Sequence, residues 1–451
     1  MIRSRSIPTA ALLGALSLGA GAARAQAGPQ LPPVRTLAVN ATAAEPFGAL
    51  QAVRQLPGGR VLANDMGGRR VLLFDSTLKT FTVVADSTSA TGNAYSGRIG
   101  GLIPYRGDST LFVDPQSLSM LLIDPAGKLG RVMSVPRPSD ANALTGLAFG
   151  APGFDARGHL VYRATPNFRM QIVNGVPQMS EIPDSMPLQR VDMTTRKLDT
   201  AAFLKAYQPK MTMATDENGR PRPNVVINPL PTVDDWAVLS DGTIAILRGR
   251  DFHLDLIDAS GAMTSAPKVP HEWQRMSDED KTAFLDSTRT AMEKIRAERQ
   301  AQLSAPGGMD RMMAGAAGAL GGGAATVLMS TRTTDGGPPP RTAPGAAAPA
   351  AGSTFQLPPV NLVPANELPD YKPAFAAGGT RADGDGRVWV RTLATKPMAG
   401  PVYDVIDGHG KLVDRVMLPA SSAIVGFGPG GVVYLGRRDT AGLHLERATV
   451  K

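Results

Sequence analysis

A short unit recurs along this chain: a glycine-containing turn, a strand pattern, and then a second strand pattern that ends in Asp and another turn. The first turns of six such copies lie at 57–59, 107–108, 155–158, 240–242, 383–386 and 429–431. One hairpin cannot bury its apolar face alone, so each copy must pack against its neighbours. Several short strands per copy, repeated about every 40–50 residues, are typical of a β-propeller. The pattern therefore predicts an all-β, six-bladed β-propeller.

The alternating and apolar runs give the predicted strands of these copies. They cover 60–63, 71–74, 81–84, 110–113, 120–123, 159–162, 188–191, 243–247, 253–257, 387–390, 402–406, 432–435 and 443–447. The Asp residues that close the second strands are Asp75, Asp124, Asp192, Asp258 and Asp407. Their spacing widens along the chain, which indicates insertions in the later copies.

The sixth copy lacks an outer strand, while the run 34–39 before the first copy has no partner of its own. We predict that this N-terminal strand completes the last blade and closes the ring, because closure removes the exposed sheet edges. The alternative is two unrelated β domains separated by the linker described below. The same turn-and-strand pattern on both sides of that linker favours the single ring.

The chain has no cysteine, which excludes disulfides, Cys-ligated zinc, thiol catalysis and a lipoprotein anchor. Its formal net charge is +8, but no block of Lys and Arg is present, so nucleic-acid binding is not expected. Part of this charge lies in the first 25 residues. Arg3 and Arg5 precede an uncharged Ala/Leu/Gly-rich run at 7–22, and Ala23-Arg24-Ala25 fits a small-x-small cleavage site.

We therefore predict a signal peptide at 1–25, cleavage after Ala25, and a periplasmic or secreted protein, with a retained membrane anchor as the alternative. After cleavage no membrane span is expected. The uncharged run 312–329 is long enough to cross a bilayer. It is weakly hydrophobic, however, and a span there would separate the last two copies from the first four.

An insertion between the fourth and fifth copies contains a predicted helix at 278–301, within a helical insert of about 270–302. Ser277 and Asp280 form a capping-box pattern at its start. The predicted apolar face consists of Phe284, Thr288, Ala291, Met292 and Ile295. We expect this face to pack on the propeller itself, and binding of a partner is the alternative. Residues 304–353 are rich in Ala, Gly and Pro and are predicted to be a disordered linker between 26–303 and 354–451.

Several segments resemble secreted bacterial six-bladed β-propellers of the TolB-like or NHL-like type. The strongest likeness is the run from Asp235 to Arg248; Phe47-Gly48 and the fifth-copy segment 403–411 are also similar. The resemblance covers about 34–300 and 363–450 and implies the six-bladed architecture. It implies no single activity, since propellers serve as lactonases, lyases, interaction platforms and scaffolds.

Catalytic signatures are few. The histidines have no metal-binding spacing, and no nucleophile elbow or phosphate loop is present. Asp383 and Asp385 resemble part of a calcium loop, but the later Glu ligand is missing. Six-bladed lactonases hold a divalent cation with Glu, Asn and Asp side chains near the channel. The candidates that this resemblance suggests are Glu45, Asn64, Asn93, Asn142 and Asn228, and none can be assigned to such a site.

In copies one to five, a charged residue follows the strand that comes directly after the glycine turn. In a propeller this end of the strand lies at the mouth of the channel. The predicted ligand-binding residues are Asp65, Asp114, Arg163, Arg248 and Arg391, together with Asp235 at the entrance to the fourth copy. Two carboxylates would then face three guanidinium groups, which suit bidentate recognition of carboxylate or phosphate. Asp234 and Asp235 could pair with Arg248. The competing interpretation is a ring of ion pairs between blades, with no ligand.

The sequence thus favours an exported binding or scaffold protein without catalysis, whose ligand is an anionic or zwitterionic small molecule, a peptide or a protein. No cofactor is predicted under this interpretation. The alternative is a metal-dependent, lactonase-like hydrolase or lyase, for which a calcium ion in the channel is expected.

Overall fold

The structure is a computed structural model. It describes residues 31–88, 94–95, 100–146, 150–165, 170–173, 176–179, 183–215, 221–304, 357–393 and 398–451. The predicted signal peptide, the run 312–329 and all of the predicted linker except Ser304 lie outside these residues. Within the described part of the chain, no helix is long and apolar enough to cross a membrane.

Most of the described chain is folded into short β-strands, as the repeat predicts. In the first half these are β1 Val34–Thr42, β2 Leu50–Gln55, β3 Val61–Asp65, β4 Arg70–Phe74, β5 Phe81–Asp86, β6 Gly101–Pro104, β7 Thr110–Asp114, β8 Ser119–Ile123, β9 Leu129–Ser134, β10 Gly153–Phe154, β11 Leu160–Arg163, β12 Met170–Val173, β13 Val176–Met179, β14 Ser185–Val191 and β15 Leu198–Lys205. In the second half they are β16 Lys210–Thr215, β17 Pro221–Ile227, β18 Asp235–Val238, β19 Ile244–Arg248, β20 His253–Ile257, β21 Met263–Ser265, β22 Asn361–Leu362, β23 Phe375–Ala382, β24 Val388–Thr392, β25 Val402–Ile406, β26 Leu412–Met417, β27 Ser422–Gly428, β28 Val432–Asp439 and β29 Gly442–Val450. The helix α1 spans Asp278–Ser304.

Four blades are four-stranded antiparallel sheets, with the orders β2-β3-β4-β5, β6-β7-β8-β9, β10-β11-β14-β15 and β18-β19-β20-β21. We number them blades 1 to 4. The remaining copies form one eight-stranded sheet with the order β23-β24-β25-β26-β1-β29-β28-β27. The fold is therefore an all-β, propeller-like arrangement with one helix: four blades and an eight-stranded sheet.

The N-terminal strand β1 joins the two halves of the eight-stranded sheet. Leu37 to Thr42 pair antiparallel with β29, which is the pairing that the sequence predicts. Val34 to Thr36 also pair parallel with β26, which the sequence did not indicate. As a result both edge strands are covered by the same segment, so neither is left open for pairing with another chain.

The first strand of each sheet unit contacts the first strand of the next. Thus β2 contacts β6, β6 contacts β10, β10 contacts β18, β18 contacts β23, and β27 contacts β2. The core lies between neighbouring sheets, because alternate side chains of a strand point to opposite faces. In β3, for example, Ala63 packs with Tyr434 of β28, whereas Leu62 packs with Phe112 of blade 2.

The Asp residue that ends the Asp-terminated strand of a copy, which is the third strand of its blade, fixes the turn that follows it. Asp75 Oδ1 accepts hydrogen bonds from the N–H groups of Thr77 (3.0 Å) and Lys79 (3.1 Å). Asp124, Asp258 and Asp407 repeat this arrangement in their own turns. Carboxylates that bond the backbone a few residues ahead favour tight turns, which explains the repeated Asp.

These tight turns and the glycine turns lie at one end of the strands, while the connections between blades lie at the other end. We call the latter end the mouth face. The described parts of three long segments emerge there: 164–165, 170–173, 176–179 and 183–184, with the hairpin β12-β13; 206–215 and 221–234, with β16-β17; and 266–304 and 357–374, with α1 and β22. Strand β13 contacts β16, and β22 pairs parallel with β17. We call these three segments the cap.

The capping box of α1 is confirmed, since Ser277 N–H donates to Asp280 Oδ2 (3.0 Å) and Asp280 N–H donates to Ser277 Oγ (3.1 Å). The predicted apolar face is wrong at its far end: Ile295 is 48% exposed, whereas Leu285 is buried. Leu285 and Phe284 pack with Leu230, Met276, Val363 and Leu368 of the cap. The helix therefore belongs to the core of the cap, because the segment 357–363 returns alongside it.

Candidate functional site

The predicted site residues lie at the mouth face. Asp235 starts β18, and the others lie at the ends of the strands next to the innermost ones: β3, β7, β11, β19 and β24. Their side chains do not form one ring around the channel. The second strand is one position away from the innermost strand, so its side chains point into the spaces between sheets. The structure divides the predicted residues into two groups, one held by nearby backbone or ion pairs and one near the innermost strands.

Asp65 is 1% exposed and is held by the protein itself. Its Oδ1 accepts hydrogen bonds from the N–H groups of Gly48 (3.1 Å), Ala49 (3.2 Å) and Gly68 (2.9 Å). Arg70 Nε lies 3.2 Å from Asp65 Oδ2. These contacts join the entrance to β2 with the β3-β4 loop, which is a structural role.

Asp114 is also 1% exposed and accepts hydrogen bonds from Gln116 N–H (3.2 Å) and Ser117 Oγ (2.7 Å). The buried ring of Tyr95 packs edge-on against Phe112 between blades 1 and 2. Burial raises the pKa of Tyr95, and the charges of Asp114 and Asp65 raise it further. Asp114 and Asp65 are thus both near the phenol of Tyr95, and Asp65 also pairs with Arg70.

Arg248 forms the ion pair with Asp234 that the sequence allowed, at 2.8 Å from Nη1 to Oδ2. Its Nε also lies 2.6 Å from Asp255 Oδ2, and Nη1 donates to the Phe203 carbonyl (3.0 Å). The guanidinium is therefore enclosed by two carboxylates and a carbonyl between blades 3 and 4. This residue fits the interpretation of ion pairs between blades.

Arg163 and Asp235 lie closer to the channel. Asp235 is the first residue of the innermost strand β18, is 4% exposed, and accepts a hydrogen bond from Thr380 N–H (3.0 Å). Burial raises the pKa of Asp235. Burial lowers the pKa of Arg163, and the charge of Asp235 opposes this effect. The structure thus brings a desolvated guanidinium of blade 3 near a buried carboxyl group of blade 4.

A bulge in β23 lies beside Asp235. The register of β23 shifts between Phe375 and Thr380, so residues 376–379 leave the ladder at the innermost edge. Gly378 has φ of +71°, which favours glycine at that position. Arg381 Nη1 donates to the carbonyls of Gly378 (3.0 Å) and Thr380 (2.8 Å) and so holds the bulge in place.

Arg391 lies on the other side of this bulge, since a Cβ on Gly379 would be 2.8 Å from the Cβ of Arg391. It pairs across the ladder with Tyr403, whose pKa is raised by burial. Arg391 lies on the face of β24 that also carries Trp389 and packs against β27-β29, whereas Asp235 lies on the face of blade 4 that packs against Val388 and Val390. We call Arg163, Asp235 and the bulge 376–379, with Arg391 next to the bulge, the channel site. The sequence did not indicate the bulge or Arg381; the Gly378-Gly379 pair was the signal available.

A cavity of about 210 Å³ lies in the cap. Its lining includes Tyr207, Asn228 and Val233, and Val233 directly precedes the Asp234-Asp235 pair. Tyr207 Oη accepts a hydrogen bond from Asn228 N–H (2.6 Å). The sequence analysis did not predict this cavity, because the hairpin β16-β17 that forms one wall has no counterpart in the repeat.

The oxygen ligands suggested for a divalent cation do not converge. Glu45 Oε1 pairs with Arg70 Nη2 (2.5 Å), Asn64 Nδ2 donates to the Gly100 carbonyl (2.9 Å), and Asn228 lies in the cap. Asn93 lies outside the described residues. Among the residues that the structure describes, no group of three or more His, Asp or Glu side chains could hold a metal ion. The described residues therefore do not fit the predicted calcium site.

No family model and no curated protein matches this chain. Solved propeller structures are similar to it at low identity. A gluconolactonase from Xanthomonas campestris has 12% identity and a TM-score of 0.38, over 94% of this chain and 98% of that one. A calcium-binding regucalcin from Agrobacterium tumefaciens has 11% identity and a TM-score of 0.38, over 93% and 97%. The PQQ-bound aldose sugar dehydrogenase of Streptomyces coelicolor has 12% identity and a TM-score of 0.36, over 93% and 100%. These values carry no argument about the reaction or ligand of this chain.

Proposed function

We propose that this chain is an exported six-bladed β-propeller that binds an anionic small molecule or peptide terminus at the channel site. The assignment of six blades counts the eight-stranded sheet as two, β23-β26 and β27-β29 with β1. It is supported by the contact of β27 with β2, which brings the last sheet unit back to the first. Export is supported by the predicted signal peptide.

The observation that carries the proposal is the position of the cap. The described parts of the three long segments begin at the mouth face, whereas the Asp-held turns 75–80, 124–128, 258–262 and 407–411 lie at the other end of the strands. Loops that elaborate one face of a rigid scaffold are where binding residues are usually located. The cap cavity lies in these segments, and the channel site lies at the same end of the strands.

The charge of the channel site favours an anion. The charges of Arg163 and Arg381 interact with the buried carboxyl group of Asp235, while Arg248 pairs with its own two carboxylates. Guanidinium groups in a partly desolvated site bind carboxylate or phosphate in a bidentate geometry.

The proposal is tested by thermal-shift and calorimetric titration of the purified chain with phosphate, acetate and succinate. Arg163→Lys keeps the charge but removes the planar guanidinium group with its paired N–H donors. The most tightly bound of these anions should therefore bind about tenfold more weakly. Arg190→Lys is the matched control, because Arg190 pairs only with the exposed Asp199 outside the channel. Equal affinity in wild type and Arg163→Lys would refute the site.

The catalytic alternative, a metal-dependent hydrolase or lyase, is distinguished by elemental analysis and by incubation with simple lactones. Turnover that requires an added divalent cation, and that is lost in Asn64→Ala, would support it over binding alone. Because the described oxygen ligands do not converge, we expect no such turnover.

A further inference from the structure

The cap cavity of about 210 Å³ has a lining that the channel site does not share. Two segments of the cap are fastened together at its walls. Val363 N–H donates to the Ile227 carbonyl (3.0 Å), next to the parallel pairing of β17 with β22. Tyr207 Oη accepts a hydrogen bond from Asn228 N–H (2.6 Å) and donates to the Val226 carbonyl (3.4 Å). The walls of the cavity are therefore held in place by hydrogen bonds of the protein itself.

One part of this lining is apolar. It consists of Ala206, Val226, Pro231, Val233 and Val363, of which Ala206, Val233 and Val363 are buried. The volume is below the roughly 300–1,000 Å³ of pockets that hold drug-sized ligands. The cavity therefore suits a small ligand, and its apolar wall favours a short aliphatic group.

An ion pair lines the same cavity. Lys210 Nζ lies 2.8 Å from Glu367 Oε1 and 2.7 Å from Glu367 Oε2. The two side chains are 62% and 36% exposed. Because an ion pair this exposed contributes little to stability, a ligand can separate its two charges at small cost.

Two uncharged side chains add polar atoms to the lining. Asn228 Oδ1 accepts a hydrogen bond from Leu230 N–H (2.9 Å), which fixes the orientation of the Asn228 amide. Asn228 Nδ2 and Thr232 Oγ1 form no hydrogen bond with the residues that the structure describes. Both atoms are therefore available to a polar ligand.

The charges of the lining select the class of ligand. Lys210 and Glu367 are the charged residues among those that line the cavity, so the formal charge of the lining is zero. An anion would pair with Lys210 and leave Glu367 without a partner, and a cation would do the reverse. A ligand that carries both charges gives each residue a partner.

We propose that the cap cavity binds a zwitterionic α-amino acid with a small aliphatic side chain. The carboxylate of the ligand pairs with Lys210, its ammonium group pairs with Glu367, and its side chain contacts Val233 and Val363. This site shares no residue with the channel site, so the inference goes beyond the anion proposal.

The test is calorimetric titration of the purified chain with L-valine and four probes that each change one feature of it. Isovalerate lacks the ammonium group and isobutylamine lacks the carboxylate, so each should bind at least about tenfold more weakly than L-valine. Glycine lacks the side chain and should bind about tenfold more weakly, because it leaves the apolar wall uncovered. L-tryptophan is too large for the cavity and should not bind.

The variants assign the binding to the cavity. Lys210→Gln and Glu367→Gln should each weaken L-valine binding at least about fivefold, since each leaves one charge of the ligand unpaired. Both positions are exposed, so both variants should fold as wild type in thermal unfolding. Lys268→Gln is the matched control and should bind L-valine as wild type, because Lys268 forms an exposed ion pair with Asp251 outside the cavity.

No binding of L-valine, isovalerate that binds as tightly as L-valine, or L-valine affinity that is unchanged in Glu367→Gln would overturn the proposal. Arg163→Lys should leave L-valine affinity unchanged. Loss of L-valine binding in Arg163→Lys but not in Glu367→Gln would assign the amino acid to the channel site and would also overturn the proposal. These variants separate failure of this proposal from failure of the anion site.

Discussion

Replacement of Arg248 by Met tests whether the charged residues of the mouth stabilise the fold or bind a ligand. Arg248 is enclosed by Asp234 and Asp255, whose side chains are 10% and 8% exposed. Removing one partner of a buried ion pair costs about 3–5 kcal/mol, because the remaining charge stays buried. In Arg248→Met, Asp234 keeps its hydrogen bond from Gly249 N–H (3.0 Å) and Asp255 keeps its hydrogen bond from Ser265 Oγ (2.5 Å). We therefore expect the free energy of unfolding to fall by about 2–3 kcal/mol.

The assay is urea unfolding followed by tryptophan fluorescence at pH 7, with Arg190→Met as the matched control. Arg190 pairs with Asp199, which is 56% exposed, so its loss should cost less than about 1 kcal/mol. The anion affinity of Arg248→Met should equal that of wild type. Equal destabilisation by both variants, or a loss of anion binding in Arg248→Met alone, would refute this reasoning.

The same variant has a predicted pH dependence. Burial raises the pKa of Asp255, but hydrogen bonds from Ser265 and Arg248 outweigh it, so the pKa is below its usual value. A carboxyl group with a lowered folded-state pKa contributes stability above its unfolded pKa of about 3.9 and loses it as the pH falls through the folded value. The stability difference between wild type and Arg248→Met should therefore shrink below about pH 4.

Three further predictions concern stability. Leu37→Ala in β1 should lower the free energy of unfolding by about 2 kcal/mol, because Leu37 is only 9% exposed. Val39→Ala on the same strand should lower it by under about 0.5 kcal/mol in the same assay, because Val39 is 43% exposed. Gly67→Ala should lower the midpoint of urea unfolding, since its Cβ would lie 2.4–2.6 Å from facing backbone atoms; a midpoint within error of wild type would contradict the close approach. Burial raises the pKa of Asp404 to about 6, so the folded state binds the proton of Asp404 more tightly than the unfolded state does. The stability of the wild type should therefore fall as the pH rises from about 4 to 6. Asp404→Asn should show a smaller fall over that range.

The repeat predicts most of the strands because its signals are local. A glycine turn before β19 and an Asp that bonds its own turn after β20 mark the ends of strands without knowledge of the tertiary fold. The strand boundaries differ by one to four residues in several cases: β28 was predicted as 432–435 and extends to Asp439. Pairing of β1 with β29 also followed from counting strands.

The cap was only partly predictable. The capping box of α1 is local and was correct, but the buried face of the helix depends on the segment 357–363, which returns from far along the sequence. The hairpins β12-β13 and β16-β17 were missed, although an Asn-Gly pair lies between the strands of each, at 174–175 and 218–219. The wide spacing between Asp124, Asp192 and Asp258 was a second signal of these insertions.

The predicted site residues lie at the mouth face, as the strand pattern predicts, but the side chains of several of them point between neighbouring sheets. The spacing placed Asp65 and Arg248 at strand ends, yet both side chains turn into the space between sheets. Which way the last residue of a strand points depends on the sheet that packs there, and a single sequence does not contain that information. Arg163, Asp235 and Arg391 stay predicted ligand-binding residues.

The most direct test of the binding proposal is hydrogen–deuterium exchange of the purified chain with and without the anion of the panel that binds best. We expect slower exchange in the bound state at the channel site, in residues 160–164, 234–236, 375–381 and 388–392. Exchange should be unchanged in the tight turns of the opposite face, in residues 75–80, 124–128, 258–262 and 407–411. Protection confined to those turns, or to the outer strands, would contradict a ligand site at the channel mouth.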